Sequence, residues 1–223
     1  MANRTHLVVM PGDGIGPEIT AATLHVAREV DKLLSLGLTF EEVPIGFEAL
    51  KKHGTTMPDS SFEAGKRADG VILGPVSHND YPPVAKGGLN PSGEMRKRLD
   101  LYANIRPAKS RPGLPPRCGK PVDLVVVREN TEGFYADRNM FAGNGEFMPT
   151  PDVALAVRKI TRKGSTRIAE TAFKLAMTRP RRKVTVVHKA NVLQLSSGLF
   201  KKVCLEIAED YPDVAVDDFH IDA

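Results

Sequence analysis

The stretch VVMPGDGIGPEITA, residues 8–21, places three glycines in five positions between an apolar run and a helical pattern. Leu7 to Met10 read as a buried strand, and Gly12, Gly14 and Gly16 permit a tight turn. Pro17 suits the first turn of a helix, where its fixed φ helps and its missing N–H is not needed. A strict dinucleotide fingerprint requires G-x-G-x-x-G, and Pro17 stands where the last glycine would fall. A strand-turn-helix unit is left, with two readings: a helix N-terminus bordered by glycine backbone that attracts anions, or a plain structural corner.

Working outward, strand and helix alternate to about residue 100. The helix runs from Pro17 to Leu34, LTFEEVPIG (38–46) is a second strand, and DGVILGPV (69–76) is a short buried strand ending in a glycine turn. This is α/β architecture. VSHNDYPPVAKGGLNPSG (76–93) is long and rich in Pro and Gly, as functional loops are. The short basic helix GEMRKRLD (93–100) leads to a strand, LYANIRP (101–107), closed by Pro107. PVDLVVVREN (121–130) is the clearest strand, and YADRNMFAGNGEFMPTPD (135–152) reads as an exposed arm. Helical stretches near 165–177 and 196–210 flank the strand KVTVVHKAN (183–191). The terminal VAVDDFHIDA (214–223) begins as a strand and ends on polar residues without a capping helix, so the chain is expected to stop mid-fold.

Composition narrows the class. The 223 residues, 41% of them apolar, suffice for a real core in one large domain or two small ones. The net charge of +4 is small, but cations cluster in MRKRL (95–99), AKSRPGLPPRCGK (108–120) and TRPRRK (178–183), which favours local anion binding over wrapping of nucleic acid. The absence of Trp, the few aromatics and the lack of a binding motif also speak against a nucleic-acid partner. Cys118 and Cys204 have no metal-ligand spacing, which fits a reduced, cytoplasmic protein. Neither a signal-peptide core nor a bilayer-length apolar run is present, so no membrane is expected.

Candidate chemistry gathers at the ends of these elements. Arg96 on the basic helix, Arg106 and Arg128 at strand ends offer planar forks that suit carboxylates and could meet at one sheet edge. Tyr135 carries a phenol close to Arg128 in sequence. Lys189 follows an apolar strand, where desolvation and nearby arginines would favour its neutral form and let it act as a base. Asp222 has no local partner in sequence, and His188 reads as a sheet residue.

MPGDGIGPEIT (10–20), MRKRLDLYANIRPAK (95–109), VVRENTEGFY (126–135), VHKANVL (187–193) and HIDA (220–223) together resemble, in order and near spacing, the isocitrate/isopropylmalate dehydrogenase family of metal-dependent β-decarboxylating dehydrogenases. The resemblance implies an α/β two-domain sandwich, incomplete at its C-terminal end. Residues 1–100 would form the first half of a large cofactor-side domain, and 101–223 a smaller substrate and dimerisation domain with an arm near 136–152. It further implies that Arg96, Arg106 and Arg128 hold the carboxylates of a (2R)-malate-type substrate, that Tyr135 and Lys189 transfer protons, and that Asp222 binds Mg²⁺ or Mn²⁺. Ile15 and Asn191 would lie near the nicotinamide of NAD, with NADP not excluded. A homodimer would share its sites, Lys189 and Asp222 serving the partner.

Family members differ before the first arginine, where leucines face an isopropyl group and Ser or Asn face a third carboxylate. Here GGLNPSGEMR (87–96) offers Asn90 and Ser92, a polar surface that points to an isocitrate-like substrate. The 3-isopropylmalate, tartrate and D-malate activities stay open, as does a catalytically silent regulatory subunit. Family members are expected to run on beyond residue 223, with further aspartate ligands and an adenosine-binding loop in that segment.

Overall fold

A computed structural model describes residues 4–135, 140, 143 and 145–222. The chain divides into two compact units, Met1–Leu99 and Asp100–Ala223.

In the first unit, strands β1 (Thr5–Met10), β2 (Leu38–Glu42) and β3 (Gly70–Leu73) form a parallel sheet in the order β2-β1-β3. Val8 is paired with Glu41 on one side and Val71 on the other, so the apolar end of β1 is buried between neighbours. Helix α1 (Gly16–Leu34) begins with Pro17 in its first turn and ends at Ser35 in a left-handed conformation. The strand expected over 38–46 stops at Glu42. Pro44 brings no N–H to a ladder, and Gly46 has φ +71, outside strand geometry. The chain turns instead into two short helices that periodicity did not reveal, α2 (Gly46–His53) and α3 (Asp59–Arg67), followed by α4 (Pro91–Arg98). Val8, Met10, Ile45, Met57, Phe62, Ala64 and Met95 make the core.

Among the described residues, the second unit holds three strand pairs and two helices. Strands β4 (Ala103–Lys109) and β5 (Asp123–Glu129) are antiparallel. Pro107 lies within β4, opposite Val125, rather than closing it; among the described residues β4 pairs with β5 alone and is an edge strand, where a proline is tolerated. Of the expected arm, residues 136–139, 141, 142 and 144 lie outside the described residues. Its later part forms the hairpin of β6 (Glu146–Thr150) and β7 (Val153–Ala156), exposed throughout.

Helix α5 (Arg162–Met177) starts under two caps. The Thr161 side chain accepts the Gly164 N–H at 3.0 Å, and the buried Glu132 carboxylate accepts the Thr161 N–H at 2.9 Å, placing negative charge at the positive helix end. Strands β8 (Lys183–His188) and β9 (Ala215–His220) run parallel, joined through helix α6 (Ser196–Ala208). Ala169, Phe173, Ala176, Val186, Cys204 and Val214 form the core, where burial pushes the Cys204 thiol up to about 12. Residues of β5, α5 and β8 line a cavity of about 650 Å³. Among the described residues no helix is long and apolar enough to cross a membrane.

The glycine turn is held by close backbone approach. A Cβ on Gly12 would overlap the Pro75 carbonyl oxygen, and one on Gly16 would overlap that of Pro11, whereas Gly14 faces open space. Gly12→Ala should therefore destabilise the protein by about 2–4 kcal/mol, combining strain at positive φ with a backbone clash, and Gly14→Ala by about 1 kcal/mol from φ alone. Urea unfolding of the two variants checks this; equal losses would contradict it.

Candidate functional site

In the first unit the β1–α1 turn is tied down by a buried carboxylate. Asp13 accepts N–H bonds from Phe47 at 2.7 Å and Ser77 at 3.1 Å, and a hydrogen bond from the Tyr81 hydroxyl. Burial, and then the adjoining carboxylate, push the Tyr81 phenol up. One acid thus joins the turn to the start of α2 and to the long loop leading to α4. Ile15, at the N-cap of α1, is 60% exposed at the tip of the turn. Asn90 is the N-cap of α4, and its side-chain oxygen accepts the Gly93 N–H at 3.2 Å. Ser92 and Arg96, four residues apart on α4, share a helix face.

In the second unit the strand register brings Arg106 and Arg128 together. Asn104 lies opposite Arg128, and directly opposed residues of an antiparallel pair point to one face; Arg106 is two residues on and shares it. Neither arginine stands beyond a strand end, and Arg106 is central in β4. Its Nε donates to Asn104 Oδ1 at 3.1 Å, while Arg128 donates to Asn130 Oδ1 at 3.3 Å and lies 5.4 Å from the Tyr135 ring centroid. Asn104 was not among the expected site residues. Ala103 and Ile105, the apolar positions of this strand, lie on its opposite face.

Lys189 and Asp222 meet. Each lies just past the end of its parallel strand, and the Lys189 ammonium donates to Asp222 Oδ2. Asp222, which has no partner in its sequence neighbourhood, thus finds one across the fold, and the charge paired with Lys189 is a carboxylate. A register 33 residues apart is invisible to local pattern. The Lys189 hydrogen bond, followed by one from backbone, holds the Asp222 carboxyl below the usual aspartate range. Asn191 is exposed in the turn after Lys189.

Toward the metal and the nicotinamide cofactor that the resemblance implies, the described residues offer Asp222 and the outward part of the β1–α1 turn. Among the described residues, no three His, Cys, Asp or Glu side chains are grouped to hold a metal ion, and Asp222 is a single carboxylate where a hard divalent cation takes about six oxygens. In the turn, Gly12 and Gly16 make room for neighbouring backbone rather than for a pyrophosphate, which leaves Gly14 and Ile15 as its outward part.

Residues 6–223 match the sequence model of the family described as isocitrate/isopropylmalate dehydrogenase. Similar relatives include a 3-isopropylmalate dehydrogenase of Archaeoglobus fulgidus, 39% identical over 97% of this chain and 60% of the relative. An isocitrate/homoisocitrate dehydrogenase of Thermus thermophilus is 39% identical with the same coverage. The crystal structure of isocitrate dehydrogenase from Methylococcus capsulatus superposes with a TM-score of 0.78 at 36% identity, covering 98% of this chain and 61% of that one. The chain spans about 60% of the length of the curated relatives it matches.

The ion pair makes a titration prediction. An aspartate whose folded value is depressed stabilises the fold above its unfolded range, and that contribution is lost as pH falls through the lower folded value. Carboxyl-carbon NMR of Asp222 should show a midpoint below that of an ordinary aspartate, and Lys189→Met should raise it; an unmoved midpoint would show that the pair does not form in solution.

Proposed function

Since the chain belongs to the isocitrate/isopropylmalate dehydrogenase family, we propose that it carries substrate- and proton-handling residues of an enzyme that oxidises and decarboxylates a (2R)-malate-type hydroxy acid, using NAD or NADP with Mg²⁺ or Mn²⁺. The observation that carries this reading is the shared face of Arg106 and Arg128. Two guanidinium forks held side by side through Asn104 and Asn130 suit a substrate with more than one carboxylate. Arg96, on α4 of the first unit, is a further guanidinium suited to a carboxylate.

Lys189, in this proposal, takes the proton of the C2 hydroxyl through its neutral amine, after its ammonium has given up a proton to solvent, as the alcohol is oxidised. Tyr135 returns a proton to the carbon from which carbon dioxide departs. Each role needs a side chain within hydrogen-bond reach of the substrate atom whose proton it moves. Assembly as a homodimer in which Lys189 and Asp222 serve the partner's site belongs to the same proposal, as do Asn191 and Ile15 beside the nicotinamide.

Asn90 and Ser92 favour a C3 substituent that hydrogen-bonds, as in isocitrate, because burying an unpaired amide or hydroxyl against alkyl costs on the order of 1–3 kcal/mol. The names of several relatives favour a second reading, 3-isopropylmalate. Specificity constants for isocitrate, D-malate, tartrate and 3-isopropylmalate separate the two. The polar reading predicts isocitrate or another polar acid first, and 3-isopropylmalate first would overturn it.

The proton-transfer roles predict distinct losses. Lys189→Met should cut NAD(P)H formation by roughly 10²–10⁴-fold, while Tyr135→Phe should chiefly slow protonation of the enol formed on decarboxylating a supplied keto acid. Equal losses of both half-reactions in both variants would contradict this division.

A further inference from the structure

We propose that His188 is the positioning residue of the Lys189 site, fixing through both ring nitrogens and its own carbonyl the two chain segments that present Lys189 and Asp222. This rests on the reading of Lys189 as the proton-transfer residue.

The His188 ring is fully buried at the end of β8. Its Nδ1 accepts the Ala190 N–H at 3.0 Å, so that nitrogen is the unprotonated one. Nε2 then carries the proton and donates it to Asp218 Oδ2 at 2.8 Å. Lys201, on α6, donates to the same oxygen at 2.7 Å, which ties the polar chain to the helix that crosses between the strands. The His188 carbonyl meanwhile accepts the Ile221 N–H at 3.0 Å, and the His220 ring packs edge-on against the imidazole at 5.0 Å between centroids.

The consequence is local and geometric. The bond to Ala190 sets the backbone immediately after Lys189, and the bond from Ile221 sets the backbone immediately before Asp222. A buried histidine that served only to fill the core would not need its acceptor on the residue after the lysine. The tautomer matters as well: with Nε2–H held by Asp218, Nδ1 stays free of a proton and can keep the turn.

The test compares wild type with His188→Leu, His188→Asn and Lys189→Met. Leucine fills volume and takes neither bond, whereas the asparagine oxygen can replace Nδ1 as acceptor for Ala190. Leu should lower kcat by about 100-fold with KM within about threefold, the signature of a misplaced catalytic group, and Asn should recover to within about tenfold of wild type. NMR of protein labelled at lysine side chains, recorded without substrate, should show the Lys189 signal displaced in the Leu variant and near its wild-type position in the Asn variant. An unmoved Lys189 signal in His188→Leu, or equal kcat losses in Leu and Asn, would overturn the assignment. If the Leu variant fails to fold, Asp218→Asn takes its place, with a displaced Lys189 signal expected and an unmoved one contradicting the assignment. Full turnover by Lys189→Met would overturn the reading of the site itself, while the Lys189 signal still decides whether His188 orients that side chain.

Discussion

The parallel pairing of β8 with β9 is the constraint on which the second unit's chemistry depends. Parallel strands end on the same side, so residues that follow them emerge together; in an antiparallel pair the same two residues would leave at opposite ends. The register His188↔His220 brings Lys189 and Asp222 within ion-pair reach although neither sequence neighbourhood contains the other. A parallel connection requires a crossover, and α6 provides it. Cys204 on that helix packs in the core with Val186 of β8 and with Val214, the residue before β9. Packing chemistry thereby fixes the position of two charged groups that contribute little to the core themselves.

The arginine face uses the opposite device. Across β4 and β5 the antiparallel ladder places Asn104 against Arg128, and the two-residue period of a strand adds Arg106 to that face. The asparagines beside them accept one donor from each guanidinium, which limits the rotation of long cationic side chains that would otherwise cost entropy to order on a ligand. In the first unit a third device operates. Backbone packs on backbone where Gly12 and Gly16 leave no Cβ, and buried Asp13 secures the turn to two other segments.

Much of this architecture is legible in the sequence because apolar periodicity is a local property. The strand before Gly12, the helix from Pro17, the strand through Val125 and the helices near 165 and 196 all follow from spacing and punctuation. What escaped depends on position in space. The short helices α2 and α3 carry few apolar residues at regular spacing, so tertiary contacts of Ile45, Met57 and Phe62 decide them. The roles of Asp13, Asn104 and Glu132 follow from partners brought near by folding, and no single-sequence pattern marks an aspartate that will be buried against three donors. Residue type and family resemblance mark Lys189 and Asp222, but only the strand register brings them into contact.

Zero-length carbodiimide cross-linking of a mixture of unlabelled and isotope-labelled protein, followed by peptide mapping, tests most directly that β8 and β9 assemble the Lys189–Asp222 pair within one chain. The account predicts an isopeptide link between those two residues, found only in peptides that are wholly light or wholly heavy. No such link, or a link found mainly in mixed light and heavy pairs, would contradict it.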